Sequence, residues 1–236
     1  MTDGIFNVLK PPGMTSHDVI AFMRRALNTK KVGHGGTLDP DAAGVLPVFT
    51  GTATRLLEFA VEGRKQYLVE VTLGKQTDTG DDSGSVVKEM PVPVFTEEAL
   101  QKVLQSFLGK QKQLPPMYSA IKINGQKLYQ LARKGVEVER ELRDIEVYKL
   151  ELLHFTASTL TLAVDCSKGT YVRSLCHDIG VKLGCGGTLA ALRRLRSGSF
   201  DIRDAVTIDM LKELDVEAFK NLLAEKFVKF AGFGGR

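Results

Sequence analysis

The chain has 236 residues, 43% of them hydrophobic and 25% charged, with a formal net charge of +4 and a pI near 8.9. This length predicts one large domain or two small ones with a sizeable core, and the mildly basic charge is compatible with nucleic-acid binding without establishing it. No apolar run reaches the roughly 18 residues of a membrane span, and we expect no signal peptide, because the N-terminus lacks a basic start and an apolar stretch.

Apolar periodicity predicts the first four elements of the chain. They are a strand over residues 5–9, a helix that begins near Ser16, a helix over Thr52–Val61 and a strand over Tyr67–Leu73. Ser16 is the expected N-cap of the first helix, whose inner face should carry Val19, Ile20, Met23, Ala26 and Leu27. The second helix should turn three side chains inward, Leu56, Leu57 and Ala60. Strict alternation puts Tyr67 on the same face of its strand as Val69, Val71 and Leu73.

The polar segment from Thr77 to Gly84 predicts a hairpin turn, followed by a return strand over Ser85–Glu89. It resembles a calcium-binding loop only superficially, because Gly80 occupies a ligand position and no Glu closes the loop. The later predicted elements are an amphipathic helix ended by Gly109, strands at 136–138, 144–154 and 160–166, and helices over Tyr171–Leu183, Leu189–Leu195 and Val216–Phe230. Helices that alternate irregularly with hairpin-connected strands predict an α+β fold with a mostly antiparallel sheet.

Residues 110–135 combine basic side chains with two tyrosines around an Asn124-Gly125 turn. The basic residues are Lys110, Lys112, Lys122, Lys127, Arg133 and Lys134, and the tyrosines are Tyr118 and Tyr129. This mixture suits an RNA surface that contacts phosphates and stacks bases. A solvated helical hairpin explains the composition equally well.

The most informative segment is a glycine-rich loop that carries one acid, Asp39. Glycines lie before the acid and Pro40 follows it, and the segment also contains His34, Lys30 and Lys31. Glycine allows a close approach to a ligand or a positive φ, and Pro40 disfavours a helical conformation at Asp39. The pattern predicts a carboxylate presented by a stiffened loop beside positive charge, which suits an acid that acts on a polyanion. Composition alone favours the alternative of an Asp-Pro turn without chemistry.

Six blocks of the chain occur in the order of a known signature. They are Lys10–Ser16, Gly33–Pro47, the stretch from Tyr67 to Thr79, Pro116–Ala120, Cys166–Arg173 and Leu192–Leu195. Together they resemble the TruB family, the bacterial tRNA pseudouridine-55 synthases, and the resemblance extends from about residue 4 to about 210. It implies the pseudouridine synthase fold, with one central sheet and helices on its faces.

The resemblance also implies a reaction and the residues that perform it. A uridine would lose its glycosidic bond, its base would turn, and the base would rejoin the sugar through carbon, without cofactor or metal. Asp39 would act as nucleophile or electrostatic stabiliser, Tyr67 would stack on the target base, and Arg173 would keep Asp39 ionised. The implied substrate-binding residues are His34, Leu192, Lys10, Gly36, Thr37 and Tyr171. Lys10 is also expected to support structure, and the Arg193–Arg196 run to contact phosphates.

We expect a catalytic domain over residues 1–210, with an RNA-binding insertion at about 110–135. The helical tail over 211–236 is too short for the complete PUA-type domain that the family implies. The expected partner is the T-arm of tRNA, bound by a monomer that needs neither a membrane nor a metal. Three cysteines without a Cys-x-x-Cys pattern favour a reduced, cytoplasmic protein, and Cys176, His177 and Cys185 match no common zinc spacing.

Two other functions compete with this interpretation. The chain could be a tRNA-binding folding chaperone with weak or lost modification activity, although the intact set of Asp39, Tyr67 and Arg173 favours the enzyme. It could also be a carboxylate-based hydrolase of a non-RNA substrate. Such a hydrolase normally requires a second carboxylate, and nothing in the sequence marks Asp41 as that partner.

Overall fold

The computed structural model describes residues 3–123, 125–214 and 218, which divide into two compact units. Unit 1 comprises residues 1–67 and 192–236, and unit 2 comprises residues 68–191. The fold mixes helices with a large, mostly antiparallel central sheet. The predicted α+β class is therefore confirmed.

The strands and helices of the described residues are as follows, in chain order. The strands are β1 Gly4–Lys10, β2 Val32–His34, β3 Ala43–Thr50, β4 Lys65–Leu73, β5 Lys75–Thr77, β6 Val86–Glu89, β7 Gly109–Gln113, β8 Lys122–Ile123, β9 Gln126–Lys127, β10 Arg143–Phe155, β11 Thr159–Cys166, β12 Gly187–Ser197, β13 Phe200–Asp201 and β14 Val206–Thr207. The α-helices are α1 Ser16–Ala26, α2 Leu57–Glu62, α3 Glu97–Gln105, α4 Leu128–Ala132, α5 Val172–Lys182 and α6 Ile208–Lys212, with 3-10 turns at Gly51–Leu56 and Ile202–Asp204.

In unit 1, strand β1 lies between β14, which is parallel to it, and the antiparallel β3. The short β2 also pairs with β3, and the C-terminal part of β12 runs parallel to β3. That parallel contact pairs Arg193 with Ala43 and Arg194 with Gly44. A Cβ at Gly44, whose φ is +117°, would lie 2.2 Å from the carbonyl oxygen of Arg194, so only glycine allows this approach.

Helix α1 covers one face of these strands and begins one residue earlier than predicted. Thr15, not Ser16, is the N-cap: its hydroxyl accepts from the Asp18 amide, and the Asp18 carboxylate accepts from the Thr15 amide, which forms a capping box. The predicted inner face is confirmed by the complete or near-complete burial of Val19, Ile20 and Met23. These side chains pack with apolar residues of β1, β3 and α6, including Phe6, Val8, Leu46, Val48 and Leu211.

In unit 2, antiparallel pairing joins β11 to β10 and β10 to β7. Strands β5 and β6 form the predicted polar hairpin, and α3, capped by Thr96, packs against β10 through its buried Leu100 and Leu104. The expected alternation in β4 is confirmed, since Tyr67, Val69, Val71 and Leu73 are all buried.

Some predicted elements differ from the structure. The Leu189–Leu195 segment is the strand β12, not a helix, because leucines three residues apart fit either element in a short run and pairing with β3 satisfies its backbone. Residues 136–138 form no strand, because the Val136 amide instead donates to the Leu131 carbonyl and closes the end of α4. Leu56, expected to face inward, lies in a 3-10 turn and is 43% exposed. The predicted tail helix over Val216–Phe230 lies, except for Ala218, outside the described residues.

Candidate active site

The loop that carries Asp39 joins β2 to β3, and its backbone is held along its whole central part. Each carbonyl from Gly36 to Pro40 accepts a hydrogen bond. The donors, in order, are Arg194 to Gly36 and Thr37, the Ser16 hydroxyl to Leu38, the Ala42 amide to Asp39, and Lys10 and the Gly13 amide to Pro40. The predicted stiffened loop is therefore present, and Asp39 is half-buried at its centre.

Ser16 holds Leu38, the residue immediately before Asp39, through both the amide and the carbonyl of Leu38. Its hydroxyl donates to the Leu38 carbonyl at 3.0 Å and accepts from the Leu38 amide at 2.9 Å. Ser16 is the first residue of α1, and Thr15 caps the helix. The Ser16 hydroxyl is therefore available to bind Leu38. The residue predicted to cap a helix thus supports the candidate catalytic loop instead.

Lys10 has no exposed surface, and its ammonium lies among three backbone carbonyls, those of Pro11, Met14 and Pro40. Burial lowers the pKa of Lys10 to about 8, although the carboxylates of Asp41 and Asp39 oppose the shift. The expected supporting role fits this geometry, because the side chain connects Pro40, just after Asp39, to the segment that precedes α1.

Arg194 is 1% exposed and extends from β12 to the other end of the same loop. Its guanidinium donates to the carbonyls of Val45 at 2.7 Å, Gly36 at 3.0 Å and Thr37 at 3.4 Å, and to the phenol oxygen of Tyr67. Burial lowers the pKa of Arg194, while Tyr67 opposes that shift. The sequence interpretation of this arginine as a phosphate contact is wrong, because its side chain is buried and its donors bind three backbone carbonyls and the Tyr67 phenol.

His34 ends β2, next to the loop, and is half-buried. Burial is the largest cause that lowers its pKa, and the nearby Arg194 and His17 charges act in the same direction. The ring is therefore neutral near pH 7. Its Nδ1 atom is buried and has no hydrogen-bond partner within the part of the chain that the structure describes. A neutral imidazole of this kind can contact a base without adding a charge.

The other predicted site residues of unit 1 lie in the loop that carries Asp39 or on strands β4 and β12. Thr37 is exposed, Gly36 has a φ of +108°, and Tyr67 lies buried on β4. A Cβ at Gly36 would contact the Arg194 guanidinium at 3.7 Å and the Lys65 side chain at 3.8 Å. Leu192 is half-buried on β12, two residues before Arg194. Unit 1 therefore brings Asp39, His34, Gly36, Thr37, Lys10 and Tyr67 into one network with Arg194.

Unit 2 holds Arg173 near the start of α5, and this residue is 6% exposed. It donates to the carbonyls of Thr79 at 2.9 Å and Tyr118 at 2.5 Å, and it lies 3.4 Å from the Asp81 carboxylate. Arg173 is therefore a buried residue and not a surface arginine of α5. The pairing of Arg173 with Asp39, which the family resemblance implies, remains a prediction.

Tyr171 is the residue immediately before α5, and a single glutamine fixes its backbone. The Gln113 side chain accepts from the Tyr171 amide at 2.8 Å and donates to the Tyr171 carbonyl at 3.1 Å. The segment that leads into Arg173 is thus anchored to β7 within unit 2.

Sequence reasoning missed Ser16, Arg194, Asp81 and Gln113 as supports of these segments. An arginine, a glutamine and an aspartate give no sign in sequence that they will be buried. In the sequence Arg194 is one of three arginines in a run, and the other two, Arg193 and Arg196, are exposed in the structure. Within the described residues no group of three metal-binding side chains occurs, and no helix there is long and apolar enough to cross a membrane.

By fold and by sequence, the chain falls among the pseudouridylate synthases. The model of the TruB family pseudouridylate synthase N-terminal domain matches residues 24–172, and the model of the tRNA pseudouridylate synthase B C-terminal domain matches residues 173–227. The chain belongs to the TruB family.

Curated relatives cover most of the chain. A tRNA pseudouridine synthase B of Caldanaerobacter subterraneus is 52% identical over 229 residues, which are 97% of this chain and 79% of the relative. A protein of the same name from Alkaliphilus oremlandii is 51% identical over 213 residues, 90% of this chain and 71% of the relative.

Solved structures show the same fold. The chain matches one from the crystal structure of a Cbf5-Nop10-Gar1 complex with a TM-score of 0.72 and 32% identity, covering 94% of this chain and 59% of that one. It matches one from an H/ACA RNP bound to a substrate RNA containing 2'-deoxyuridine with a TM-score of 0.66 and 31% identity, covering 89% and 52%. This chain thus spans less than two thirds of the length of these solved chains.

Proposed function

We propose that the protein isomerises uridine to pseudouridine in tRNA, and that its target is the uridine at position 55 in the T-loop. The observation that carries the proposal is the anchored loop, which presents one half-buried carboxylate, Asp39, on a backbone held at every carbonyl from Gly36 to Pro40. Membership of the TruB family supplies the reaction, and the name of its relatives, tRNA pseudouridine synthase B, supplies the substrate class.

In the proposed reaction Asp39 acts on the sugar of a flipped-out nucleotide, either as nucleophile or by stabilising positive charge as the glycosidic bond breaks. The target base must leave its stack to reach the carboxylate, at a cost of a few kcal/mol. Tyr67 stacks on the freed base, Leu192 forms an apolar wall of the pocket, and the neutral His34 contacts the base. Tyr171 is a further substrate-binding residue. Gly36 and Thr37 lie in the loop next to the substrate.

Arg173 keeps Asp39 ionised in this proposal, because a carboxylate in a closed pocket otherwise tends to take up a proton. The basic side chains of residues 110–135 grip the phosphates of the T-arm. The catalytic domain extends over residues 1–210. The protein works as a monomer in the cytoplasm, without a metal or a cofactor.

Incubation with an unmodified tRNA transcript tests the proposal directly. Pseudouridine is then mapped by a carbodiimide-based primer-extension stop, with the Asp39→Asn variant as the inactive control. We expect one modified position, in the T-loop, and none in a transcript whose target uridine is replaced by cytidine. Tight tRNA binding and accelerated refolding without any pseudouridine would favour the chaperone alternative and contradict the proposal.

A further inference from the structure

Arg194 has no role in the reaction described above, yet its guanidinium contacts both ends of the candidate catalytic loop. On one side it donates to Gly36 and Thr37, which precede Asp39, and on the other to Val45 on β3, which follows it. The same group donates to the phenol oxygen of Tyr67 on β4. One planar cation therefore joins three backbone carbonyls and the side chain of a second candidate catalytic residue.

The approach of β12 to β3 is what allows this reach. Arg194 pairs with Gly44, where only glycine fits against the Arg194 backbone. Arg194 is 1% exposed, so its donors cannot be satisfied by bulk water, and each carbonyl would lose this donor if the guanidinium were removed. A planar guanidinium has five N–H donors in a fixed fork, whereas a lysine offers one mobile ammonium that cannot reach all four acceptors.

We propose that Arg194 is a positioning residue, which holds the loop of Asp39 and the phenol of Tyr67 in a fixed relation so that carboxylate and ring meet the same nucleotide. This inference rests on the proposed function. It also predicts something that does not depend on activity, namely that the backbone around Asp39 loosens when the guanidinium is lost.

The position of a reacting carboxylate matters more for rate than for binding, since a displacement of about 1 Å can reduce a rate by about 100-fold. A role in positioning therefore differs from a role in RNA binding. The first lowers the single-turnover rate at saturating RNA, whereas the second raises the Kd for RNA. It also differs from a purely structural role, which lowers global stability without a local effect on the loop.

The experiment compares the full-length parent with Arg194→Met, Arg194→Lys and a control, Arg203→Met, whose side chain is 84% exposed. Three quantities are measured: the single-turnover rate on a T-arm stem-loop across pH 6–9, the Kd for the same RNA, and amide hydrogen exchange. The informative amides are those of Gly35, Leu38 and Ala42, which donate to Pro47, Ser16 and Asp39. Amides of α1 report global opening.

We expect Arg194→Met to lower the single-turnover rate by about 100-fold and Arg194→Lys by about 10-fold. The Kd should change by less than about 3-fold. In Arg194→Lys, which keeps the positive charge near His34 and Lys10, the pH profile should also keep its shape. Exchange at Gly35, Leu38 and Ala42 should accelerate relative to α1 in both variants. Arg203→Met should match the parent throughout.

Should Arg194→Met fail to fold, Arg194→Lys decides, since it keeps the buried charge. A parental rate together with unchanged exchange at Leu38 would overturn the proposal, and so would an effect confined to the Kd. If the parent itself forms no pseudouridine, the proposed function is wrong, and the exchange comparison still decides whether Arg194 holds the loop.

Discussion

Replacement of Lys10 by methionine should change how the stability of the protein depends on pH. The ammonium is completely buried and donates to the carbonyls of Pro11, Met14 and Pro40. Burial is the main reason that its pKa falls from 10.5 to about 8. At about 1.36 kcal/mol for each pKa unit, this difference corresponds to roughly 3 kcal/mol, by which the buried charge destabilises the fold.

The direction in which stability changes with pH follows from whether the folded or the unfolded chain keeps the Lys10 proton to higher pH. Below about pH 8 both the folded and the unfolded chain keep Lys10 protonated, and the full penalty is present. As the pH rises from about 8 towards 10.5, the folded chain loses the proton first and the penalty disappears. The parent should therefore gain about 2.5 kcal/mol relative to Lys10→Met between pH 7 and pH 10.

At pH 7 the two effects of the substitution oppose each other. The carbonyls of Pro11 and Met14 lose their Lys10 donor, at about 1–3 kcal/mol each, whereas the Pro40 carbonyl keeps the Gly13 amide at 3.0 Å. Removal of the buried charge stabilises the fold by roughly 3 kcal/mol. Lys10→Met should thus lie within about 3 kcal/mol of the parent at pH 7.

Urea denaturation at pH 7, 8, 9 and 10 measures these differences, with Lys102→Met as an exposed control on α3. The control should keep the pH dependence of the parent. A difference between parent and Lys10→Met that stays constant within about 0.5 kcal/mol over this range would refute the reasoning, because it would mean that Lys10 keeps an ordinary pKa.

Three further predictions concern the reaction. Asp39→Asn should abolish turnover and keep tRNA binding, because amide and carboxylate are nearly isosteric; near-normal turnover in a pseudouridine assay would exclude Asp39 as the reacting acid. An isolated T-arm stem-loop should be modified, with an affinity that falls as salt rises through release of phosphate counterions; a strict requirement for full-length tRNA would contradict this. Arg173→Met should damage single-turnover chemistry far more than binding, with partial recovery as pH rises because Asp39 then ionises, and Arg173→Lys should be intermediate. Weaker binding with intact chemistry would identify Arg173 as a phosphate contact.

Sequence reasoning predicted the loop of Asp39 and the strand of Tyr67 correctly, because a local pattern carries that information. Glycines around Asp39 and the proline after it predicted a stiff loop, and strict alternation from Tyr67 predicted a strand with the tyrosine buried, as β4 shows. Both inferences depend on the conformational limits of single residues or on a period of two, which are properties of the chain itself. The order of the signature blocks then indicated the family.

Which residues hold the loop of Asp39 is determined only by the tertiary structure. Ser16 looks like a helix cap in sequence, but Thr15 takes that place and the Ser16 hydroxyl binds Leu38. Arg194 belongs to a run that resembles a helix with a basic face. Pairing of β12 with β3 makes the segment a strand, and within that strand Arg194 is buried whereas Arg193 and Arg196 are exposed. Long-range strand pairing determines which side of a segment is enclosed, and no local pattern of residues contains that choice.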